Sequence, residues 1–176
     1  MRSSTSRLFI ALWPTDAVRA RIAQWQAQWT WPERASVIAP ERLHVTLHFL
    51  GEVTPGRILD LRYVLKRVPS QRFTLHFVRP DVWQHGIAVV RPESLPTPLR
   101  GLHARIGLAL AGIGLPVEER VYRPHVTLAR RALGAKPPAE PADVLWEADD
   151  GFVLVQTLGG GRGYEVLERF GPQARS

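Results

Sequence analysis

The tetrapeptide His-Val-Thr-Leu occurs at His44–Leu47 and again at His125–Leu128, each copy following an arginine, Arg42 and Arg123, at the same spacing. In an extended strand the side chains at i and i+2 point the same way, so each copy puts His and Thr on one face and Val and Leu on the other. The apolar face has to be buried. Two such strands set facing each other would gather two imidazoles and two hydroxyls around one cleft, a phosphate-sized acid–base site.

The rest of the chain alternates strand and helix signals around these copies. Arg7–Trp13 is a continuous apolar run that reads as a buried strand closed by Pro14. Thr15 is positioned to cap a helix with Asp16 in its first turn, and Val18, Ile22, Trp25 and Trp29 mark its apolar face. Leu43–Leu50 is the first motif strand, ended by Gly51. Thr54-Pro55 opens a second helix that runs to about Arg67. Arg72–Val78 and Ile87–Arg91 read as strands about the Gln84-His85-Gly86 turn. Leu99, Leu102, Ile106 and Leu110 give a third helix ending near Gly112 and Gly114.

The second motif strand covers His125–Arg130. Residues 134–143 are proline-rich and are the best candidate for a mobile segment. Gly151–Leu158 and Tyr164–Phe170 read as a closing strand pair joined by Gly159-Gly160-Gly161. These glycines lack the strand–loop–helix setting of a nucleotide-binding fingerprint. The result is two strand–helix–strand units, each with one HVTL strand, and so a pseudo-symmetric α+β chain.

Composition bounds the setting. The chain has 176 residues, suits one domain spanning 1–176 and is 45% hydrophobic, which argues for a packed globule. The tryptophans Trp13, Trp25, Trp29 and Trp31 are read as core. Cysteine is absent, which excludes disulfides, thiolate zinc and a cysteine nucleophile and fits a cytoplasmic location. The polar lead Met1–Arg7 and the lack of a long apolar run argue against a signal peptide or a membrane span. The formal charge of +7 is almost wholly arginine, the only lysines being Lys66 and Lys136. Such a surface attracts phosphates and can hold them bidentately, but high-GC coding yields the same bias, so charge does not establish RNA.

Phosphodiester cleavage needs a base to activate the nucleophile and an acid to protonate the leaving oxygen, and two histidines supply both near neutral pH. Threonine hydroxyls two residues along can donate to phosphate oxygens, and an arginine can neutralise developing charge. If these donors suffice, no metal or other cofactor is needed. Arg130 has the opposite strand parity to His125 and would point away on a straight strand, whereas Arg131 shares the His125 face. If the strand ends or bulges after Leu128, Arg130 can still reach the site. His48 shares parity with His44 and Thr46, a row that a metal could use, but no carboxylate stands at ligand spacing. His48 is read as rim or surface, and His76, His85 and His103 are given no role.

The segments Leu8–Pro14, Pro40–Val53, Tyr122–Arg130 and Gly161–Phe170, with HVTLHFLGEV and RPHVTLAR at their centre, resemble the 2H phosphoesterase superfamily, and within it the RNA 2′,3′-cyclic phosphodiesterase (2′-5′ RNA ligase) family. The resemblance implies a bilobal α+β fold in which two antiparallel sheets face each other across a cleft, with helices outside. It implies metal-independent hydrolysis of RNA 2′,3′-cyclic ends to 2′-phosphomonoesters. His44 maps to the proton donor and His125 to the proton acceptor. Thr46, Thr127 and Arg130 map to phosphate contacts, and Phe9 and Phe49 to the border of the nucleotide site. Many relatives carry a serine near the end of the closing strand, where this chain reads Gln156-Thr157-Leu158.

The implied partners are RNA ends or nucleotides carrying a 2′,3′-cyclic phosphate, met by a monomer away from membranes. Two other readings use the same residues: a 2′-5′ RNA ligase running the site in reverse, and a non-catalytic module that binds RNA ends or nucleotides.

Overall fold

The computed structural model describes residues 5–149 and 151–171. Strand β1 (Ser6–Leu12) leads into helix α1 (Asp16–Gln26), whose first turn is capped by the Thr15 hydroxyl accepting from the Val18 amide at 3.3 Å. A short β2 (Ser36–Val37), which no sequence signal marked, precedes β3 (Val45–Val53) and helix α2 (Pro55–Leu65). Strand β4 (Phe73–Trp83) is longer than the Arg72–Val78 expected, because pairing with β5 (Ile87–Pro92) continues through Pro80 to Trp83. Helix α3 (Thr97–Gly112), β6 (Val126–Arg130), an unanticipated β7 (Val144–Ala148), β8 (Phe152–Leu158) and β9 (Gly163–Phe170) complete the order.

Among the described residues the strands form one curled antiparallel sheet, ordered β7-β4-β5-β6-β3-β1-β8-β9 with β2 added on β6. The α+β class is as the sequence implied. The two expected sheets are the two ends of this one path, joined where β3 meets β6 through the single pair Val45–Val126.

Strand β1 shows why the apolar run needs two buried faces. Leu8, Ile10 and Leu12 enter the main core with Ile22, Leu61, Leu65, Leu102 and Ile106 from the helices. Phe9 and Ala11 join Val153 and Val155 on the other face, with Trp13 and Tyr164 packed against them. Burying each large apolar side chain of the main core contributes on the order of 1.5–3 kcal/mol.

The proline-rich segment expected to be mobile is tethered. Thr30 and Lys136 exchange backbone hydrogen bonds at 2.9 and 3.0 Å, and the Trp25 indole donates to the Glu140 carbonyl at 3.0 Å. Trp25 and Trp29 are core, as read from the sequence, and half-buried Trp31 stacks on Trp29. Trp13 is not core and lies in the cleft.

The turn before β5 is packed onto the segment that ends β6. Gly86 has φ +74°, and a Cβ there would stand 2.8 Å from the Ala132 nitrogen and 2.9 Å from that of Leu133. Its carbonyl accepts from Ala132 at 2.8 Å. Strain and collision act together in Gly86→Ala, which is expected to lower the unfolding free energy by roughly 2–4 kcal/mol in a denaturant titration.

Candidate active site

The Val45–Val126 pair is bracketed, by antiparallel register, with His44 beside Thr127 and Thr46 beside His125. Both valines are fully buried in the core, so all four neighbours face the opposite side, the cleft. Each half-buried imidazole is held in the same way. His44 Nδ1 lies 2.6 Å from the Arg42 carbonyl, and His125 Nδ1 lies 2.7 Å from the Arg123 carbonyl. A carbonyl only accepts, so Nδ1 carries the proton in both rings and Nε2 is left for chemistry. The repeated arginines thus contribute their backbone to the motif. Thr46 Oγ1 donates to His44 Nε2 at 3.1 Å.

A bulge follows each copy. Ile10 pairs with His48 and Ala11 with Thr46, so Leu47 is an extra residue; Val89 pairs with Thr127 and Ala88 with Ala129, so Leu128 is one too. The first bulge reverses parity after Thr46. His48 therefore turns away from the cleft, which corrects the rim or surface position expected for it: it is 5% exposed and donates from Nε2 to the His103 carbonyl at 2.8 Å. Phe49 comes round instead, opposite Phe9. The second bulge turns Ala129 into the core and Arg130 to the cleft face, beside the histidine and threonine of its own copy. Arg131 takes φ +53° as the strand ends.

The first bulge is buttressed from α3 and the segment after it. His48 stacks on His103 with centroids 4.1 Å apart, and His103 on Tyr122 at 4.0 Å. His103 hydrogen-bonds the backbone of Leu47, and the Tyr122 hydroxyl donates to the Thr46 carbonyl at 3.1 Å. Burial and the neighbouring His48 hold His103 down at about 4, so the stack is neutral near pH 7.

Aromatic rings wall both histidines. Phe9, Tyr164 and Trp13 lie 4.9, 5.4 and 5.6 Å from the His44 ring, and Trp83 lies 4.5 Å from that of His125. The Trp83 indole donates to Asp81 at 3.0 Å, and Asp81 in turn pairs with Arg91 at 3.4 Å. Phe9 is 3% exposed and serves as a wall, while Phe49 is 51% exposed. Sequence reasoning missed Trp13, Trp83 and Tyr164. Trp13 shares the parity of Phe9, a usable signal; Trp83 lay beyond the strand end assigned to β4.

Desolvation dominates the electrostatics. Burial, with the charges of His125, Arg19 and Arg130, pushes His44 down to about 4 against the pull of the Arg42 carbonyl. Burial and the charges of Arg130 and Arg91 lower His125 as well. The Arg130 charge therefore reaches both rings. Both imidazoles are therefore neutral near pH 7. Among the described residues, no group of three or more His, Cys, Asp or Glu side chains is placed to hold a metal ion.

Removing the hydroxyl that satisfies the Thr46 carbonyl tests the buttress. Tyr122→Phe is expected to lower the unfolding free energy by roughly 1–2 kcal/mol with an unchanged denaturant slope.

With this geometry in view, residues 14–153 match the family model described as the 2′-5′ RNA ligase superfamily. The chain is 31% identical over 181 residues to the RNA 2′,3′-cyclic phosphodiesterase of Thermus thermophilus, covering 93% of this chain and 89% of the relative. It is 30% identical over 131 residues to the RNA 2′,3′-cyclic phosphodiesterase of Escherichia coli, covering 74% of each. The crystal structure of E. coli LigT complexed with 3′-AMP superposes with a TM-score of 0.85 at 26% identity, over 97% of this chain and 100% of that one. The chain belongs to the 2′-5′ RNA ligase superfamily.

Proposed function

We propose that this chain is an RNA 2′,3′-cyclic phosphodiesterase in which His44 and His125 act as a general acid–base pair. The observation that carries the reading is the duplicated Nδ1–carbonyl bond, which turns both Nε2 atoms to the same cleft face as two threonine hydroxyls, one of which, Thr46, donates to His44 Nε2. The names of the relatives and the family match support the substrate class.

In the proposed reaction a water oxygen attacks phosphorus as its proton passes to His125 Nε2. The bond from phosphorus to the 3′-oxygen breaks, and that oxygen takes the proton from His44 Nε2. The products are a 2′-phosphomonoester and a free 3′-hydroxyl. Thr46, Thr127 and Arg130 hold the non-bridging oxygens, where charge grows in the transition state. Phe9 and Phe49 border the nucleotide.

The reaction as drawn routes no step through a metal. His48, the one residue that offered a metal row, is committed to the His103 carbonyl. Both histidines come from one chain, so the proposed site is complete in a monomer acting on RNA ends or nucleotides; a cytoplasmic location is part of the same proposal, in line with the absence of cysteine. Among the described residues no helix is long and apolar enough to cross a membrane.

The acid must be protonated, yet burial and the neighbouring charges disfavour a proton on His44. A bound phosphate anion opposes the charges that depress both rings and lifts them. The bell in kcat/KM, which reports the free enzyme, is therefore expected to centre on the acid side of 6.5, the ordinary imidazole value. Imidazole nitrogen spectra across pH should show both midpoints rising when inorganic phosphate is added. Arg130→Gln removes a positive neighbour and should raise both midpoints in the free protein.

The decisive assay uses cyclic-phosphate-ended RNA in the presence of chelator, with the product identified. His44→Ala and His125→Ala are each expected to lose roughly 10²–10⁴-fold in rate. Unchanged hydrolysis by both variants would overturn the acid–base assignment.

A further inference from the structure

Gln26, the last residue of α1, is only 4% exposed, although glutamine is a side chain that usually stays at the surface. Its amide nitrogen, with two N–H bonds to give, meets two backbone carbonyls far along the chain. Nε2 lies 2.9 Å from the Ile38 oxygen and 2.8 Å from the Leu128 oxygen. The Leu128 carbonyl also accepts from the Ile38 amide at 2.8 Å, so α1, β6 and the end of β2 are joined at one point. That point is the bulge of the second motif copy. A buried amide costs free energy unless it is paired, and this one is paired wholly to backbone.

Little else fixes the backbone of Arg130. Pairing of β6 with β5 ends at Ala129, opposite Ala88. Beyond it the strand partner of Arg130 is Ser36 of β2, and at Arg131 the chain leaves the strand with φ +53°. Strand β2 consists of Ser36 and Val37, and both are exposed. A strand of two residues with neither side chain buried does not hold its own register. The Gln26 amide grips the next residue, Ile38, and ties it to Leu128, two residues before Arg130. The first copy has a matching arrangement, with Tyr122 and His103 on the backbone of Thr46 and Leu47.

We propose that Gln26 is a positioning residue for Arg130: it locks β2 against β6 at the Leu128 bulge and so keeps the Arg130 guanidinium on the cleft face. Gln26 touches no reacting atom and acts through the backbone alone. The proposal rests on reading Arg130 as a phosphate contact of the hydrolytic site.

The test compares Gln26→Met, similar in length and without a donor, with Arg130→Gln and with the double variant, on a 2′,3′-cyclic mononucleotide. Gln26→Met is expected to lower kcat/KM about ten- to a hundredfold, and the double variant to lie within about twofold of Arg130→Gln alone. The Arg130 charge depresses both imidazoles, so its displacement should raise the His44 and His125 midpoints in nitrogen spectra, as Arg130→Gln does. Gln26→Asn, one methylene shorter, withdraws the amide from the carbonyls and should repeat the pattern, which covers the case of a methionine variant that does not fold. Losses that multiply in the double variant, or midpoints left at wild-type values, would show a merely structural role and overturn the proposal. Wild-type activity in both Gln26 variants, or failure of both to fold, would overturn it too. Those outcomes leave the hydrolytic reading standing. Wild-type protein inactive on the cyclic nucleotide would refute that reading instead, and the midpoints would then decide the positioning of Arg130.

Discussion

The site depends on one backbone pairing, Val45 with Val126, where the two halves of the sheet meet. Each half brings one histidine and one threonine, and neither half alone makes a cleft. The pairing puts His44 beside Thr127 and Thr46 beside His125, so that the threonine of each copy lies next to the histidine of the other. Because both valines are wholly buried, sliding either strand by one residue would drive a valine into the cleft and a histidine into the core. The register of the site is therefore protected by hydrophobic burial on the other side of the sheet.

The bulges make the second contribution. A regular strand would carry the His-x-Thr alternation onward and aim His48 and Arg131 into the cleft. The extra residues Leu47 and Leu128 reverse the parity at the same point in each copy. One bulge delivers Phe49 to the cleft and the other Arg130, so two near-identical motifs end in different chemistry: an aromatic surface on one side and a cation on the other. The first bulge is stabilised from behind, where Tyr122 and His103 satisfy backbone groups of Thr46 and Leu47.

Aromatic walls and arginine charge act on the histidines in the same direction. Removing water from around an imidazole disfavours its charged form, and nearby guanidiniums add to that. His44, boxed by Phe9, Trp13 and Tyr164, feels this most. The site thereby favours uncharged imidazoles near pH 7. An anion placed between the two rings would oppose both effects and favour protonation. Near-symmetric geometry leaves the ligand's orientation, and with it the division of acid and base, to groups outside the four central side chains.

Much of this was legible in the amino-acid order. Period-two alternation is a local property, and it put His44 and Thr46 on one face and His125 and Thr127 on another before any fold was known. Caps and prolines marked the helices for the same reason, since Thr15 acts on a backbone group only three residues away. What tertiary structure decided were the features that depend on partners far along the chain. The Leu47 bulge exists in pairing with β1, and the Leu128 bulge in pairing with β5. Both require carbonyls and side chains to be satisfied by residues that no local window contains. Hence His48 went to the core, and Trp13 and Arg130 to the cleft. A strand's sequence states which residues share a face, but where that alternation breaks is set by the strands beside it.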